Sequence, residues 1–525
     1  MEKKPTIFKK VLSAGDILVI AFGAMIGWGW VVSCGSWIQN GGILGTILGF
    51  IVGGIMIYFV GLTYAELTTA MPKAGGEHVF SYKAFGVTGS YICTWALILS
   101  YLGVVCYEVC SFPTILEYIF PSLSQGYMYT IAGFDVNVTW VAIAIVMSAI
   151  IVLINILGTK KAAIFQTIFT IIIAITGLLL LSGASFTGSL ENVFGQAFKG
   201  DNTGDQIFNI VKIAMMTPFF FFGFDVIPQA AEEVKIPLKK LGKIMMLSIV
   251  LAILFYAMIV LSIGLVMNES EVANSIGTTG LVTADAMAKA FSSKAMANVL
   301  IIGGLCGIIT SWNSFLIGGS RAMYSMAKSK MLPSVFAKVH KRYKTPSNAI
   351  LVLGVFSIIA PFLGKAMLTW IVNAANFACC LAYCMVAISF IVIRKKHPNM
   401  PRPYKIKHYK IVGAIAIIMS GAMALLYIIP GTNCTLQWPE WIIVGVWATL
   451  GILFYFLTKR KHKKEFASNI LEEIEDDAQL TEIGNLQKES SSEIDVVTEK
   501  TDNGSSFDEA FAVQDGETCR EEKTE

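Results

Sequence analysis

The sequence predicts an all-α integral membrane protein with twelve transmembrane helices: two inverted five-helix repeats, then two C-terminal helices. Three observations carry this reading. Of the 525 residues 55% are hydrophobic and only 14% charged, where a soluble domain has about a quarter charged. Apolar stretches of about twenty residues, long enough to cross a bilayer, recur along most of the chain. The first and sixth of them are broken by glycine and proline at matching places.

Cut at Gly, Pro and charged residues, the apolar windows are 14–38, 41–68, 90–119, 138–157, 162–184, 210–228, 242–267, 298–326, 347–364, 368–393, 409–429 and 438–458. Residues 1–13 form an N-terminal segment, 14–184 the first repeat, 185–209 an outer loop, 210–393 the second repeat and 394–458 the last two spans. With the N-terminus inside, 31 Lys and Arg of the body fall on the inner side and five (Lys199, Lys212, Lys289, Lys294 and Lys365) on the outer. The positive-inside rule therefore places both termini in the cytoplasm and the chain as a multi-pass protein of the plasma (inner) membrane. Lys3, Lys4, Lys9 and Lys10 precede a span too long for a cleaved signal.

Residues 459–525 form the tail. From Glu465 onward it holds 19 of the 36 acidic residues and four Lys/Arg. Polar, acidic and poor in aromatics, it reads as a disordered cytoplasmic end, with a regulatory partner site as the sharper alternative. The net charge of +4 averages a basic body and an acidic tail, so it implies no nucleic-acid partner. Asn137-Val-Thr139 and Asn433-Cys-Thr435 match glycosylation acceptors in outer loops.

Most of the ten cysteines lie in apolar spans, where cysteine packs as a small hydrophobe. Cys379 to Cys384 is the one cluster with metal-ligand potential. The five histidines (His78, His340, His397, His408 and His462) map to cytoplasmic loops or ends, so no intramembrane His/carboxylate set of a protease emerges. With no GxSxG, Walker or HExxH pattern either, an enzyme is not indicated.

Span one reads Ala21-Phe-Gly-Ala-Met-Ile-Gly-Trp-Gly-Trp30, and span six Thr217-Pro-Phe-Phe-Phe-Phe-Gly-Phe-Asp-Val-Ile-Pro228. A broken helix frees backbone N–H and C=O groups, which survive at membrane depth only where they line a cavity. The breaks lie five spans apart; five is odd, so a second five-helix repeat enters the membrane upside down. Paired interruptions in two halves point to a transporter's binding site. Gly53-Gly54 and Gly303-Gly304 read as close helix packing.

Ionisable residues at membrane depth are functional by default. Asp225, after the span-six break, either binds a substrate ammonium, carries a proton, or braces the break by accepting freed backbone N–H groups. Glu108 in span three contacts substrate or a proton, or makes a structural hydrogen bond. Glu66 and Asp16, near cytoplasmic ends, cap helices or pair with inner-loop lysines.

Several motifs in order resemble bacterial amino acid permeases of the amino acid–polyamine–organocation superfamily. They are Gly23-Ala-Met-Ile-Gly-Trp-Gly29, Tyr64-Ala-Glu-Leu with Met71-Pro-Lys-Ala-Gly-Gly, Gly223-Phe-Asp with Ala231-Glu-Glu-Val-Lys-Ile-Pro237, and Gly319-Ser-Arg-Ala-Met-Tyr-Ser-Met-Ala-Lys ending at Leu332-Pro333. The resemblance runs from about residue 10 to 460 and implies the five-plus-five, leucine-transporter (LeuT-type) fold and alternating-access transport of a small amino acid. It places the substrate carboxylate on backbone N–H groups from Met25 to Gly29, within a motif that includes Gly23, Ala24, Ile26, Gly27 and Trp28. It places the ammonium on carbonyls around Phe219 to Phe222, before Gly223, and makes Phe219 the occluding gate. The acid two residues past the glycine, tied to proton sensing in some relatives, is Asp225.

Two features depart from the pattern. The span-five lysine of many proton-coupled members aligns with Ile173, so coupling through it is not implied. The coupling-ion candidates are a proton on Asp225 or Glu108, or a sodium ion between span-one carbonyls and the Thr310 and Ser311 hydroxyls; no other cofactor is expected. Trp28 stands where a small residue is usual: it packs elsewhere, or it points in and narrows the pocket. The expected partners are an amino acid or amine and the lipid bilayer. The alternatives are a polyamine or amino alcohol transporter, and, from another class, a channel or sensor.

Overall fold

The computed structural model describes residues 8–131, 134–364, 366–431, 435–463 and 466. The acidic tail beyond residue 466, Asn433 and Cys434 of the second glycosylation acceptor, Cys519, and Lys3, Lys4, Lys365 and Lys464 lie outside the described residues.

The chain is helical almost throughout. The first predicted span is three pieces, α1 (Ala14–Met25), α2 (Gly29–Val32) and α3 (Cys34–Gly41), and α4 (Ile43–Ala70) follows at Gly42. Next comes α5 (Glu77–Ile119), whose Gly86 leaves helical geometry at φ 75° and ψ −161°. The predicted third span therefore gains a preceding helical segment from Glu77 that the apolar window missed, because that segment is polar. A hairpin of β1 (Tyr127–Ile131) and β2 (Phe134–Asn137) leads to α6 (Val138–Ile156), α7 (Thr159–Thr187), the short α8 (Leu190–Gly195) and α9 (Thr203–Phe220).

The sixth span breaks after Phe220 and resumes as α10 (Val226–Gln229). Then come α11 (Leu238–Val266), α12 (Glu269–Thr278), α13 (Val282–Ala290), α14 (Lys294–Lys328), α15 (Ser347–Ile359), α16 (Ala366–Lys396), α17 (Tyr409–Leu426) and α18 (Trp438–His462). Among the described residues nine helices are long and apolar enough to cross a membrane: α4, α5, α6, α7, α11, α14, α16, α17 and α18. The three predicted spans outside that set have a common cause. Spans one and six are interrupted, and span nine, α15, ends in a 3-10 turn over Ala360–Leu363 around Pro361.

The exterior is apolar and the interior holds the polar groups. On α7 the exposed side chains Ile164, Ile168, Ile171, Ile175 and Leu178 follow the helical repeat, while Gln166, Thr170 and Thr176 are buried on the other face. Exposed apolar area on this scale is a lipid-facing surface. The chain is a multi-pass membrane protein. Helices α5 and α14 are almost wholly enclosed, whereas α18 is exposed along most of its length. Helix α1 packs against α7, α11 and α14.

Charged groups of the helix bundle are paired. Asp16 caps α1 through Ser13 and binds Lys160 at 2.9 Å. Glu66 pairs with Arg394 at 2.6 Å and Arg402 at 3.1 Å, arginines rather than the expected lysines, and accepts the Ile406 N–H. Arg321, fully buried on α14, binds Glu233 at 2.8 Å and the Thr159 hydroxyl at 2.9 Å. The N-terminal segment is part of this assembly: the Val11 and Leu12 amides donate to the Glu233 carbonyl, Lys235 N–H returns to Leu12, and Phe8 is buried against Ala74 and Tyr324. His78 is a correction to its assignment as a loop residue. It is buried in α5, hydrogen-bonded to Thr94, Ser90 and Ser329, because the polar segment before Gly86 turns inward.

Away from the spans, α12 opens with a capping box in which Asn268 and Glu271 bond each other's backbone amides. Glu271 also binds Lys289 of α13 at 2.5 Å. Partial burial raises the Glu271 carboxyl, but Lys289 and the Asn268 amide outweigh it and hold the group below its ordinary value. A depressed folded value contributes stability above the unfolded value, about 4.3 for Glu, that is lost as pH falls through the folded one. Protection of the α12 amides, taken against intrinsic exchange at each pH, is therefore expected to fall below about pH 4 in the wild type. In Glu271→Gln the protection should be low at every pH; an acid response that survives in this variant would remove Glu271 as its source.

Candidate functional site

The α1 ladder stops at Met25. Ile26 turns out of helix at φ −104° and ψ 76°, and the chain resumes at Gly29. The Gly27 and Trp28 amides find no acceptor among the described residues. The gap is held on two sides. Tyr256 of α11 donates to the Met25 carbonyl at 2.9 Å. On α14, Gly307 comes so near that a Cβ there would sit 2.6 Å from the Gly27 carbonyl oxygen.

The second break faces the first. Past Phe220 the chain turns at Gly223, whose φ of 129° suits glycine alone, and a Cβ there would lie 2.5 Å from that of Ala24. The Gly223 N–H donates to Asp225 Oδ1 at 3.0 Å, and Tyr101 of α5 donates to Asp225 Oδ2 at 2.8 Å.

A small cavity lies between the breaks. From the first its wall takes Ala24, Met25, Gly27, Trp28 and Gly29, and from the second Phe219, Phe220 and Phe222. Glu108, Val104 and Tyr107 come from α5, Tyr256 from α11, and Ser311 and Phe315 from α14. Glu108 is the one charged side chain in this wall. It is buried, lies with Ser311 beside Gly27, and its Oε2 has no hydrogen-bond partner. A Cβ on Gly27 would sit 2.9 Å from Glu108 Oε1, so the carboxyl lies directly on the span-one break. Phe219 meets Tyr107 edge-on at 6.0 Å, and Phe222 stacks on Phe315 at 5.5 Å.

Five predicted site residues stand outside that wall. Gly23 faces Gln166 and Thr170 of α7. Ile26 is buried. Gly223 supports Ala24. Asp225 lies behind the second break with both carboxylate oxygens hydrogen-bonded. Thr310 donates to the Gly307 carbonyl at 2.9 Å. Thr310 and Ser311 both lie beside span one, Thr310 at Gly23 and Ser311 at Gly27. Ile173 is buried in α7, but the α7 side chains closing on Gly23 are Gln166 and Thr170. Gln166 donates to the Val19 carbonyl and accepts from Asn313, which accepts in turn from Asn155.

Trp28 lines the cavity, and its ring is seated on Gly304, where a Cβ would lie 2.1 Å from the indole. Gly304 is thus a seat for a site residue, while Gly53, Gly54 and Gly303 meet Thr217, Ile253 and Thr176 across helix contacts. Among the described residues no group of three or more His, Cys, Asp or Glu is placed to hold a metal, Cys379 to Cys384 included.

Sequence reasoning missed Val104, Tyr107, Tyr256 and Phe315, while Phe220 falls inside the expected Phe219 to Phe222 stretch. Val104 and Phe315 had a signal, since each stands four residues from a site residue, Glu108 or Ser311, and so shares its helix face. Tyr256 had none; it is one aromatic in an apolar helix.

The family model described as amino acid permease matches residues 12–454, a stretch that spans both breaks and every cavity residue. The chain belongs to this family. It is a permease of the amino acid–polyamine–organocation superfamily, a transporter and not an enzyme, and such permeases need no cofactor.

Among known relatives, the permease is 28% identical to the branched-chain amino acid permease BcaP of Bacillus subtilis over 464 residues, covering 87% of this chain and 94% of that one. It is 26% identical to the methylthioribose transporter of the same organism, covering 88% and 96%. The aspartate-proton symporter of that organism is 25% identical, covering 79% and 78%.

Proposed function

We propose that this permease moves a small neutral amino acid by alternating access, binding it in the cavity between the two breaks. The observation that carries the reading is the buried Glu108 carboxyl, with an unpartnered oxygen, set directly on the span-one break beside unpaired backbone amides. An α-amino acid matches this arrangement: its carboxylate takes the amides from Met25 to Gly29, and its ammonium lies toward Glu108 and the carbonyls around Phe219 to Phe222. The aromatic walls take an apolar side chain, consistent with the branched-chain substrates named for one relative. No lysine or arginine lines the cavity, so a second substrate carboxylate, as in the aspartate named for another, has no counter-charge. An amine without a carboxylate is the second reading; Glu108 alone favours it.

On this reading the nine continuous spans and the interrupted spans one, six and nine make twelve. They form inverted repeats over 14–184 and 210–393, with the basic loops and both termini cytoplasmic. Phe219 against Tyr107 is the occluding pair. The coupling ion is a proton, as in the relative named a proton symporter, or sodium at Thr310 and Ser311, or the cycle is exchange.

The test is purified protein in liposomes, with counterflow of leucine, alanine, aspartate and putrescine under separately imposed pH and sodium gradients. Leucine or alanine should exchange; transport of putrescine alone would replace the amino acid with an amine. In the same assay Trp28→Ser should widen the accepted range toward larger side chains, because the indole fills the space over Gly304. An unchanged panel would mean that the ring does not limit the pocket.

A further inference from the structure

Gly304 stands outside the cavity wall, one turn before Gly307 on the same face of α14. The two glycines meet different parts of the first break. Gly307 lies against backbone, the Gly27 and Ile26 carbonyls. Gly304 lies against the indole: an added Cβ would sit 2.1 Å from Trp28 Cζ3, 2.5 Å from Cε3 and 2.9 Å from Val31 Cγ2. Carbon atoms in ordinary contact are about 3.5–4.0 Å apart, so a methyl group at this position must displace the ring by at least about 1 Å.

The surroundings leave the ring one direction to take. Trp28 leads into α2 with helical φ and ψ, and its carbonyl accepts the Val31 N–H at 2.9 Å, which fixes the root of the side chain. Val31 occupies the side along α2, and the Gly27 and Ile26 carbonyls fill the space at Gly307. Helix α14 has no room to back away: it is almost wholly enclosed, and its Gly303 is closed on Thr176 of α7. What remains is the cavity, whose wall Trp28 shares with Glu108, Ser311 and Phe315.

We propose that Gly304 sets the size of side chain this permease accepts, by giving the Trp28 indole a recess outside the cavity. Gly304 is a positioning residue; it touches the ring and not the substrate. With the ring seated on Gly304, the cavity keeps room for a branched aliphatic side chain. With a methyl group there, the ring enters the cavity and only the smallest side chains fit. The bulk of Trp28 at the break is thus compensated across a helix contact. The proposal rests on the reading of this cavity as the substrate site, and adds to it a determinant of side-chain size from the layer behind the wall.

Counterflow in liposomes, with purified full-length protein, tests this on two matched pairs: alanine and leucine, and their decarboxylated analogues ethylamine and isoamylamine. Gly304→Ala should lower the ratio of leucine to alanine exchange at least about tenfold, the discrimination that a few methylenes give in an apolar pocket, while alanine exchange persists. In a Trp28→Ser background the same methyl group should leave the ratio unchanged, because no ring is there to displace. Equal loss of both substrates in Gly304→Ala would show a structural effect only and overturn the proposal, as would a shift in the ratio that persists without the indole. If Gly304→Ala does not fold, Gly304→Ala/Trp28→Phe carries a shorter ring, and its ratio should fall below that of Trp28→Phe alone; equal ratios would count against the proposal. Exchange of the amines without the amino acids would reject the amino-acid reading, and the ratio of isoamylamine to ethylamine would then decide the role of Gly304 in the same way. Exchange of both amino acids with a ratio unmoved by Gly304→Ala would reject that role and leave the amino-acid reading standing.

Discussion

Gly223→Ala is expected to abolish transport and to lower the thermal stability of the purified protein. Two costs coincide at this residue. Its φ of 129° lies where a residue with a Cβ is strained, at roughly 1–3 kcal/mol. The Cβ would also sit 2.5 Å from that of Ala24 and 2.9 Å from the Ala24 carbonyl carbon, and overpacking of this kind adds about 1–3 kcal/mol. The clash falls on the first break, so relief pushes α1 away from the second and opens the wall that Ala24 and Met25 supply. A drop of at least about tenfold in uptake at equal surface expression, with a lower melting temperature in detergent, is the expected result. Wild-type transport in Gly223→Ala would mean that the two breaks are not pressed together during the cycle. Gly204→Ala is a suitable control: it lies on α9 at ordinary φ, with only the Asn202 side chain near its added Cβ.

Arg321→Met should destabilise the protein more than any single change at an exposed charge. Arg321 and Glu233 are almost fully buried and 2.8 Å apart, and losing one partner strands the other charge, at about 3–5 kcal/mol. The double variant Arg321→Met/Glu233→Leu removes the stranded charge and should recover most of the loss, since replacing both members of a buried pair by apolar groups is often near neutral. Thermal unfolding of the two variants and of Glu233→Leu forms a cycle. Equal melting temperatures for the single and double variants would show that packing around Arg321, not the charge, sets the effect. Arg321 also bonds Thr159 at the start of α7, and the Glu233 carbonyl receives the N-terminal segment. Arg321→Met should therefore speed amide exchange at Leu12 as well.

The two breaks were legible because their cause is local. Gly27 and Gly223 interrupt apolar runs, and a broken run at membrane depth must line a cavity. Glu108 was legible as an acid where acids are rare. Its face on α5 also carries Val104 by helical spacing, a signal that the apolar windows did not use. Asp225 was legible as an acid but not in its direction. Past Gly223 the chain is not helical, so no period says whether the carboxyl points into the cavity or back at the Gly223 amide and Tyr101. The neighbours of the span-one break on α7 were hidden for a related reason. Which α7 residues meet Gly23 depends on the rotation of α7, and the structure turns Gln166 and Thr170 toward it.

By itself, the sequence determined that this is a helical membrane protein with paired broken spans, because hydrophobic length, charge scarcity and helix breakers act within one segment at a time. The tertiary structure alone decided which polar groups meet. It set Glu108 on the first break, seated Trp28 on Gly304, and turned Asp225 away from the cavity, onto the Gly223 amide and Tyr101. Those pairings join residues far apart in the chain, and they follow from helix rotation and close packing at glycines, which no single segment records.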